Sequence, residues 1–384
     1  MTPRIHFGVC GIGYGHASRS AILAREFMRR GWSVSISSYK DGLRYLKASG
    51  IEARYSPEIS YGILPEGKVS IKMTIFRNIL LPIKVLEQLS YELNYIEDAD
   101  IVISDSRAST ILAGKVSGKP VLTILNQFNI RVEYPRHKRI IELVEALAQA
   151  PSHIWMLSDE ILIADYPPPY TISKHNLVIP EKALDKTRYI GPIMERSRKY
   201  ASSKHIYEKY GLVEGSNPII FYHASGPSYE RRILTSMILP ILEKLSKDYQ
   251  IIATLGGDDP PKNIKGVHAF SWVEDPGELF SIADLVICRA GQTTLAKALA
   301  YGKPVITIPI PAHGEQLGNA CSIMQVGAGI LLHQENLSLE TLRSAIEKIV
   351  SDKSFFEKAG EYRRLVEKLN SVEYVCSKIL ELVG

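Results

Sequence analysis

At about 150 residues per domain, a chain of 384 residues suggests about 2.6 domains, and two of ordinary size fit best. Apolar residues make up 45% and charged residues 23%, which supplies two buried cores and excludes a disordered chain. The net charge of +5, from 46 basic and 41 acidic residues, is too small an excess to predict nucleic-acid binding, which needs basic residues clustered on one face.

The four cysteines, Cys10, Cys288, Cys321 and Cys376, are scattered and form no CxxC pair. That spacing supports neither a zinc site nor a disulfide framework, so a reducing cytoplasm is the expected location. The N-terminal run MTPRIHFGVCGIG is too short in apolar residues for a signal-peptide core. No stretch reaches about 18 uninterrupted apolar residues, so no membrane-spanning helix is expected. Peripheral contact at a cytoplasmic membrane face stays open.

In chain order, IHFGVC reads as a buried parallel strand and GIGYGH as a turn. A helix follows from Ala17 to Arg30, with Ala21, Ala24, Phe27 and Met28 at helical spacing and Gly31 placed to end it. WSVSIS is the next strand and completes a βαβ unit. DIVISD, an Ala/Ile-rich helix to Gly118 and KPVLTIL repeat the pattern. After YPPPY (166–170), the stretch RYIGPIMERS (188–197) reads as the linker, because Gly191-Pro192 closes a short strand.

The second half restarts the alternation. PIIFYH, QIIATL, LVICRA and PVITIPI are expected strands, with helices beginning near Tyr229, Pro276, Thr294 and Glu315. Phe355 to Leu382 reads as helical throughout. Two alternating halves predict an α/β fold of two doubly wound, Rossmann-like domains facing across a cleft. The expected bounds are 1–192, 193–365 and a C-terminal helical piece, 366–384, packing back on the first domain.

Ligands of such sheets bind beyond the carboxyl ends of the strands, so the loops there are the first place to look for chemistry. Gly11-Ile12-Gly13-Tyr14-Gly15-His16 brings backbone and a helix N-terminus to a ligand, but His16 stands where a dinucleotide fingerprint needs its third glycine. A plain tight βα turn is the alternative. Histidine suits general-base work near neutral pH, and such a base needs an orienting partner. Asp105, just past DIVIS, is the candidate partner; an N-cap of the next helix is its alternative.

His223-Ala224-Ser225-Gly226-Pro227-Ser228 lies between a strand and a helix and suits a diphosphate, although it is not a P-loop. Arg289, Gly291, Thr293 and Thr294 fall in a later strand–helix turn, and Glu315, Gln316 and Asn319 at the start of the next helix. Together they offer hydrogen bonds for a sugar and a ribose; simple solvation of polar loops is the alternative.

Metal sites are not expected. Asp98-Ala99-Asp100 precedes a strand on the wrong edge of the sheet, and Asp258-Asp259 follows Gly256-Gly257 in a turn. Residues 63–86 mix apolar side chains with Lys68, Lys72, Arg77 and Lys84, which fits an interfacial segment on an anionic bilayer or ordinary packing with snorkelling lysines. Arg136-His137-Lys138-Arg139 adds to such a face or is simply solvated.

The combination GIGYGHASRS, IGPI, HASGPS and CRAGQTTLAKALAYGKPVITIPIPAHGEQLGNA resembles the GT-B glycosyltransferases, most closely the bacterial MurG-like N-acetylglucosaminyltransferases and their archaeal relatives. The resemblance spans nearly the whole chain, and the last segment is the specific one. It implies a transferase that takes a sugar from a nucleotide-diphosphate donor, a UDP-sugar by preference, with inversion and without metal or other cofactor. The implied acceptor is a hydroxyl compound, lipid-linked by resemblance.

The resemblance implies that His16 is the catalytic base or an acceptor-site residue and Asp105 its acidic partner, with Gly13, Tyr14 and Gly15 on the acceptor-side loop. Ser225, Gly226 and Ser228 match the diphosphate loop. Trp272 and Val273 match positions flanking the nucleobase, Arg289, Gly291 and Thr294 the donor loop, and Glu315 and Gln316 residues that bind donor-sugar hydroxyls. Lys297 departs from the pattern: the family usually has Glu there, holding ribose hydroxyls, and a cation reverses both charge and hydrogen-bond role. Lys297 would bind phosphate or pair with an acid, or the nucleotide would sit differently, which leaves open whether the donor is a uridine nucleotide. A nucleotide-sugar epimerase on the same fold and a non-catalytic nucleotide-sugar sensor are the rival readings.

Overall fold

A computed structural model describes residues 2–59, 81–128, 150–195, 203–226, 228–257 and 264–384. The chain forms two compact units. The first comprises Met1–Met194, Ala312–Glu315 and Leu369–Gly384, and the second Glu195–Pro311 and Gln316–Lys368.

In the first unit the described elements run β1 (Arg4–Val9), α1 (Gly15–Arg29), β2 (Ser33–Ser38), α2 (Lys40–Ala48), β3 (Arg54–Tyr55), α3 (Leu81–Tyr95), β4 (Ile101–Asp105), α4 (Ala108–Val116), β5 (Val121–Leu125), α5 (Ala150–Trp155), β6 (Glu160–Ile163) and β7 (Thr187–Tyr189). The seven strands form one parallel sheet ordered β3-β2-β1-β4-β5-β6-β7. The order reverses between β1 and β4, so the loops leaving these two strands part to opposite sides and open a crevice. Glycine-loop and Asp105 therefore share the switch point of this sheet.

Side-chain alternation explains which face each residue serves. Ile5, Phe7 and Val9 of β1 and Ile101 and Ile103 of β4 pack with Phe27 of α1 and with Val375 and Ile379 near the C-terminus. The other face of the sheet carries Val102 and Val121 against Ile96 and Ile111. Asp105, in step with Ile101 and Ile103, thus falls on the α1 side.

The second unit continues with α6 (Ser203–Tyr210), β8 (Ile219–His223), α7 (Ser228–Leu245), β9 (Gln250–Thr254), β10 (Val267–Phe270), α8 (Pro276–Ile282), β11 (Leu285–Cys288), α9 (Gln292–Ala300), β12 (Val305–Thr307), α10 (Gly314–Val326), β13 (Gly329–Leu331), α11 (Leu339–Ser351) and α12 (Ser354–Val366). Its parallel sheet runs β10-β9-β8-β11-β12-β13, with the reversal between β8 and β11. Ile220, Tyr222 and Ile287 pack against Leu234, Ile238 and Leu242 of α7 and Leu342 and Ile346 of α11.

Two sequence expectations change. Gly15 and His16 are not turn residues but open α1, so His16 is its second residue. The C-terminal helical stretch is two helices, α12 and α13 (Ser371–Val383), with Glu367–Asn370 between them. Ser371 Oγ donates to Pro192 O at 2.8 Å, and Val375, Cys376 and Ile379 complete the first unit's core. The segment 63–80, Arg136-His137-Lys138-Arg139, Pro227 and Asp258-Asp259 lie outside the described residues.

Candidate active site

At the first sheet's switch point, His16 Nδ1 lies 2.8 Å from Asp105 Oδ1. Asp105 is fully buried and saturated with donors: Arg19 Nε reaches Oδ2 at 2.7 Å, Arg19 Nη2 bonds Oδ1, and Ser20 Oγ reaches Oδ2 at 3.0 Å. Burial alone would raise this carboxyl's pKa, but the charges of Arg19 and His16, with their hydrogen bonds, hold it well below the usual carboxylate range. Asp105 is therefore ionised and is placed to accept the hydrogen bond of Nδ1–H, with Arg19 Nη2 also 3.0 Å from that nitrogen. That leaves Nε2 as the basic nitrogen of an imidazole whose side chain is 18% exposed.

Local sequence explains the array. His16, Arg19 and Ser20 fall at i, i+3 and i+4 on one face of α1. Cys10 N–H donates to Asp105 O at 3.0 Å, tying the strand ends together. Gly13, at φ 68°, turns the chain into the helix, and Tyr14 stacks obliquely on Tyr45 with ring centres 5.6 Å apart. The structure brings together His16 and Asp105, which the sequence reading pairs, and adds Arg19 and Ser20, whose spacing from His16 is the available signal.

A second polar cluster lies on the opposite face of the same sheet. Glu92 of α3 accepts from His6 Nε2 at 2.9 Å, Ser37 Oγ at 2.7 Å, Arg107 Nη2 at 2.8 Å and Thr110 Oγ1 at 3.0 Å. Arg107 also reaches Ser37 O and Ser56 Oγ. Burial opposes ionisation of Glu92, but Arg107 and His6 lower its pKa to about 2. This cluster anchors the turn just after Asp105, where Ser106 takes a left-handed φ of 55°.

In the second unit the loop Ser225–Gly226 leaves β8 and Gly291 leaves β11, both at the switch point. Ser225 Oγ is buried without a hydrogen-bond partner. Gly226 has φ 98°, and a Cβ there would meet nothing within 4 Å. Gly291 is more informative: its φ of −70° suits any residue, and a Cβ would again meet open space. Gly291 is the N-cap of α9, and with no side chain its backbone is open to close approach.

Ser228 opens α7 and Thr294 lies in the first turn of α9. His223, at the end of β8, bonds Thr254 Oγ1 through Nδ1 at 2.8 Å. Burial, then the charges of Lys297 and Arg231, lower its pKa to about 3, so it is neutral. Burial lowers the Lys297 pKa as well, with Glu195 and Asp275 opposing. Trp272 is 53% exposed beside buried Val273, between β10 and α8. Glu315 is half-buried at the start of α10, and Gln316 Oε1 accepts from Ile310 N at 2.9 Å.

Arg289 corrects the sequence reading. It was expected in the donor loop, but alternation along β11 puts it in step with Leu285 and Ile287, toward the core. Its guanidinium is buried, donating to Ile308 O at 3.0 Å, Gln334 Oε1 at 2.7 Å and Glu230 O at 3.1 Å. Burial lowers its pKa to about 10, leaving it charged near neutrality. Arg289→Met is expected to cost about 2–4 kcal/mol of stability in urea unfolding, because buried acceptors lose a charged donor. Donor affinity should change less than about threefold, since the guanidinium only braces the loop.

Asp100 also has a structural partner: it accepts from Arg4 N at 2.9 Å and Arg4 Nη2 at 2.7 Å, at the amino end of β1. Among the described residues no group of three His, Cys, Asp or Glu side chains is placed to hold a metal. No described helix is long and apolar enough to cross a membrane.

Two parallel α/β units, each with polar loops at its switch point, form the fold of the GT-B glycosyltransferases. Residues 226–371 match the model of the glycosyltransferase family 28 C-terminal domain, and residues 3–165 that of glycosyl transferase family 1. The chain is a glycosyltransferase with the GT-B fold, and its second half matches the family 28 C-terminal domain. An uncharacterized glycosyltransferase of Methanosarcina acetivorans is 26% identical over 98% of both chains. A UDP-N-acetylglucosamine–N-acetylmuramyl-(pentapeptide) pyrophosphoryl-undecaprenol N-acetylglucosamine transferase of Geobacter metallireducens is 26% identical over 42% of this chain and 47% of its own length. Among solved structures, the glycotransferase of kitacinnamycin superposes over 100% of both chains with a TM-score of 0.71 at 16% identity, and Acinetobacter baumannii MurG over 99% of both chains with 0.61 at 17%.

Proposed function

We propose that this chain is an inverting, metal-independent transferase that moves a sugar from a nucleotide-diphosphate donor to an acceptor hydroxyl. The observation that carries the reading is the His16–Asp105 pair at the first sheet's switch point. His16 Nε2 takes the proton of the acceptor hydroxyl as that oxygen bonds the anomeric carbon. The bond from that carbon to the diphosphate breaks, and the nucleoside diphosphate leaves with the electron pair. Asp105 stabilises the imidazolium that forms, and Arg19 keeps Asp105 ionised.

The donor falls to the second unit. Backbone N–H groups at the start of α7, with Ser225 and Ser228, receive the diphosphate, and the open backbone at Gly226 and Gly291 admits it closely. Thr294, Trp272, Val273 and Gln316 of this unit are read as the contacts for nucleoside and sugar, and Lys297 adds positive charge. UDP-N-acetylglucosamine is the first donor to try, since it is named for a relative that matches 42% of this chain. The same relative's name supports a lipid-linked acceptor. Exposed Ile83 and Leu86 on α3, beside Lys84, support a membrane surface as its source.

The test is a thermal-shift screen of nucleotide sugars followed by turnover with lipid and soluble acceptors. A true donor at 100 times its Kd should stabilise the protein by about 2.7 kcal/mol. No stabilisation by any nucleotide sugar would end the donor reading. Isomerisation of the nucleotide sugar without acceptor would make the chain an epimerase instead.

A further inference from the structure

Glu230 is a charged residue in an apolar row. Glu230, Leu234, Ile238 and Leu242 recur every four residues along α7, and all are buried. Glu230 is 0% exposed, and neither of its carboxylate oxygens has a hydrogen-bond partner. A buried polar group without a partner calls for a physical reason.

Its surroundings are defined. Arg289, arriving from β11, is the charge that acts on Glu230, yet its hydrogens go to Ile308 O, Gln334 Oε1 and Glu230's own carbonyl, and its Nε is itself buried without a partner. From β8 comes Tyr222, whose hydroxyl pairs with Thr235 Oγ1 at 3.0 Å. Gln334 is neutral, and α11 brings apolar Leu342 and Ala345 to the same core. Burial raises the Glu230 pKa to about 7, with Arg289 opposing.

We infer that Glu230 is a positioning residue that couples a proton to donor binding: a diphosphate at the N-terminus of α7 binds more tightly when this carboxyl is protonated. The inference rests on the reading of Ser225, Gly226 and Ser228 as the donor's diphosphate loop. Glu230 is the third residue of α7, within one turn of the N–H groups that would face the diphosphate. An ionised carboxylate there subtracts from the field those groups supply; taking up one proton from solvent removes the repulsion. For charges several ångströms apart at an effective dielectric near 20, the penalty corresponds to about tenfold or more in affinity.

The sign is definite. Affinity is constant while Glu230 is protonated, falls as pH rises through about 7, and levels off once the bound form also ionises. The experiment is calorimetry with UDP-N-acetylglucosamine, UDP-glucose and GDP-mannose, whose phosphates do not titrate from about pH 6 to about pH 8.5. The wild type should lose about tenfold in affinity across that range. Glu230→Gln should hold its affinity within about twofold, and Glu230→Asp should keep the pH dependence. Equal pH dependence in wild type and Glu230→Gln overturns the inference and leaves the donor reading standing. If Glu230→Gln does not fold, wild-type titrations in two buffers of different ionisation enthalpy decide: uptake of about half a proton near pH 7 supports it, and none overturns it. Failure of all three nucleotide sugars to bind the wild type overturns donor reading and inference together.

Discussion

His16→Ala should lower kcat by roughly 10²- to 10⁴-fold, the usual contribution of a positioned base. Three features place the effect in the chemical step. The imidazole stands at the first sheet's switch point, where a ligand meets strand ends. Asp105 favours the Nδ1–H tautomer by accepting its hydrogen bond at 2.8 Å. Arg19 and Ser20 fill the remaining acceptor capacity of Asp105, so it cannot turn away. Donor affinity should stay within about twofold, because the residues read as donor-binding belong to other loops. Steady-state kinetics with a bound donor, paired with calorimetry, separates the two. Unchanged kcat in a folded His16→Ala protein would remove His16 from the mechanism.

Glu92→Ala should cost about 3–5 kcal/mol, the usual result of stripping the partner from a buried ion pair. Arg107 would keep its charge inside the unit with only hydroxyl and carbonyl acceptors, Ser37, Ser56 and the Ser37 carbonyl, to hold it. The pH dependence follows from the lowered pKa. Glu92 is near 2 in the folded chain against 4.5 for the ordinary group, so its stabilisation is present above about pH 4.5 and is lost as pH falls toward 2. Glu92→Gln should flatten that acid limb in urea unfolding between about pH 5 and about pH 3. A variant as stable as the wild type at pH 7, with the same acid limb, would show that Arg107 is held without it. Because Arg107 anchors the turn after Asp105, the same variant should also lower turnover.

Regular patterning made the scaffold readable. IHFGVC, DIVISD and PVITIPI are apolar runs of strand length, each bounded by turn residues, and strands buried on both faces take that form. The boundary misjudged at Gly15 has a simple cause. A glycine reads as a turn residue, but at the start of a helix its missing side chain costs little and the following His16 can still complete the first turn. The break at Glu367–Asn370 was hidden for the opposite reason: apolar spacing continues on either side, and no proline or glycine marks the end.

The site divides along the same line. His16 and the glycines of the second-unit loops were visible because their chemistry or backbone freedom is local. Arg289 was misplaced because a strand-end arginine reads the same whether its side chain faces a ligand or a core, and alternation along β11 decides for the core. The Glu92 cluster joins residues as far apart as His6 and Thr110, and no spacing in the chain announces it. Glu230 could have been noticed as an acid in an apolar row, but that neither oxygen has a partner depends on where Arg289 sends its hydrogens.

Thus the amino-acid order alone determined the parallel α/β architecture and which strand-end loops carry imidazole, hydroxyl and glycine, since these follow from periodicity and residue type. Only the tertiary structure decided which charges are partnered. Pairing depends on strand order and side-chain direction, which bring together groups that lie far apart along the chain.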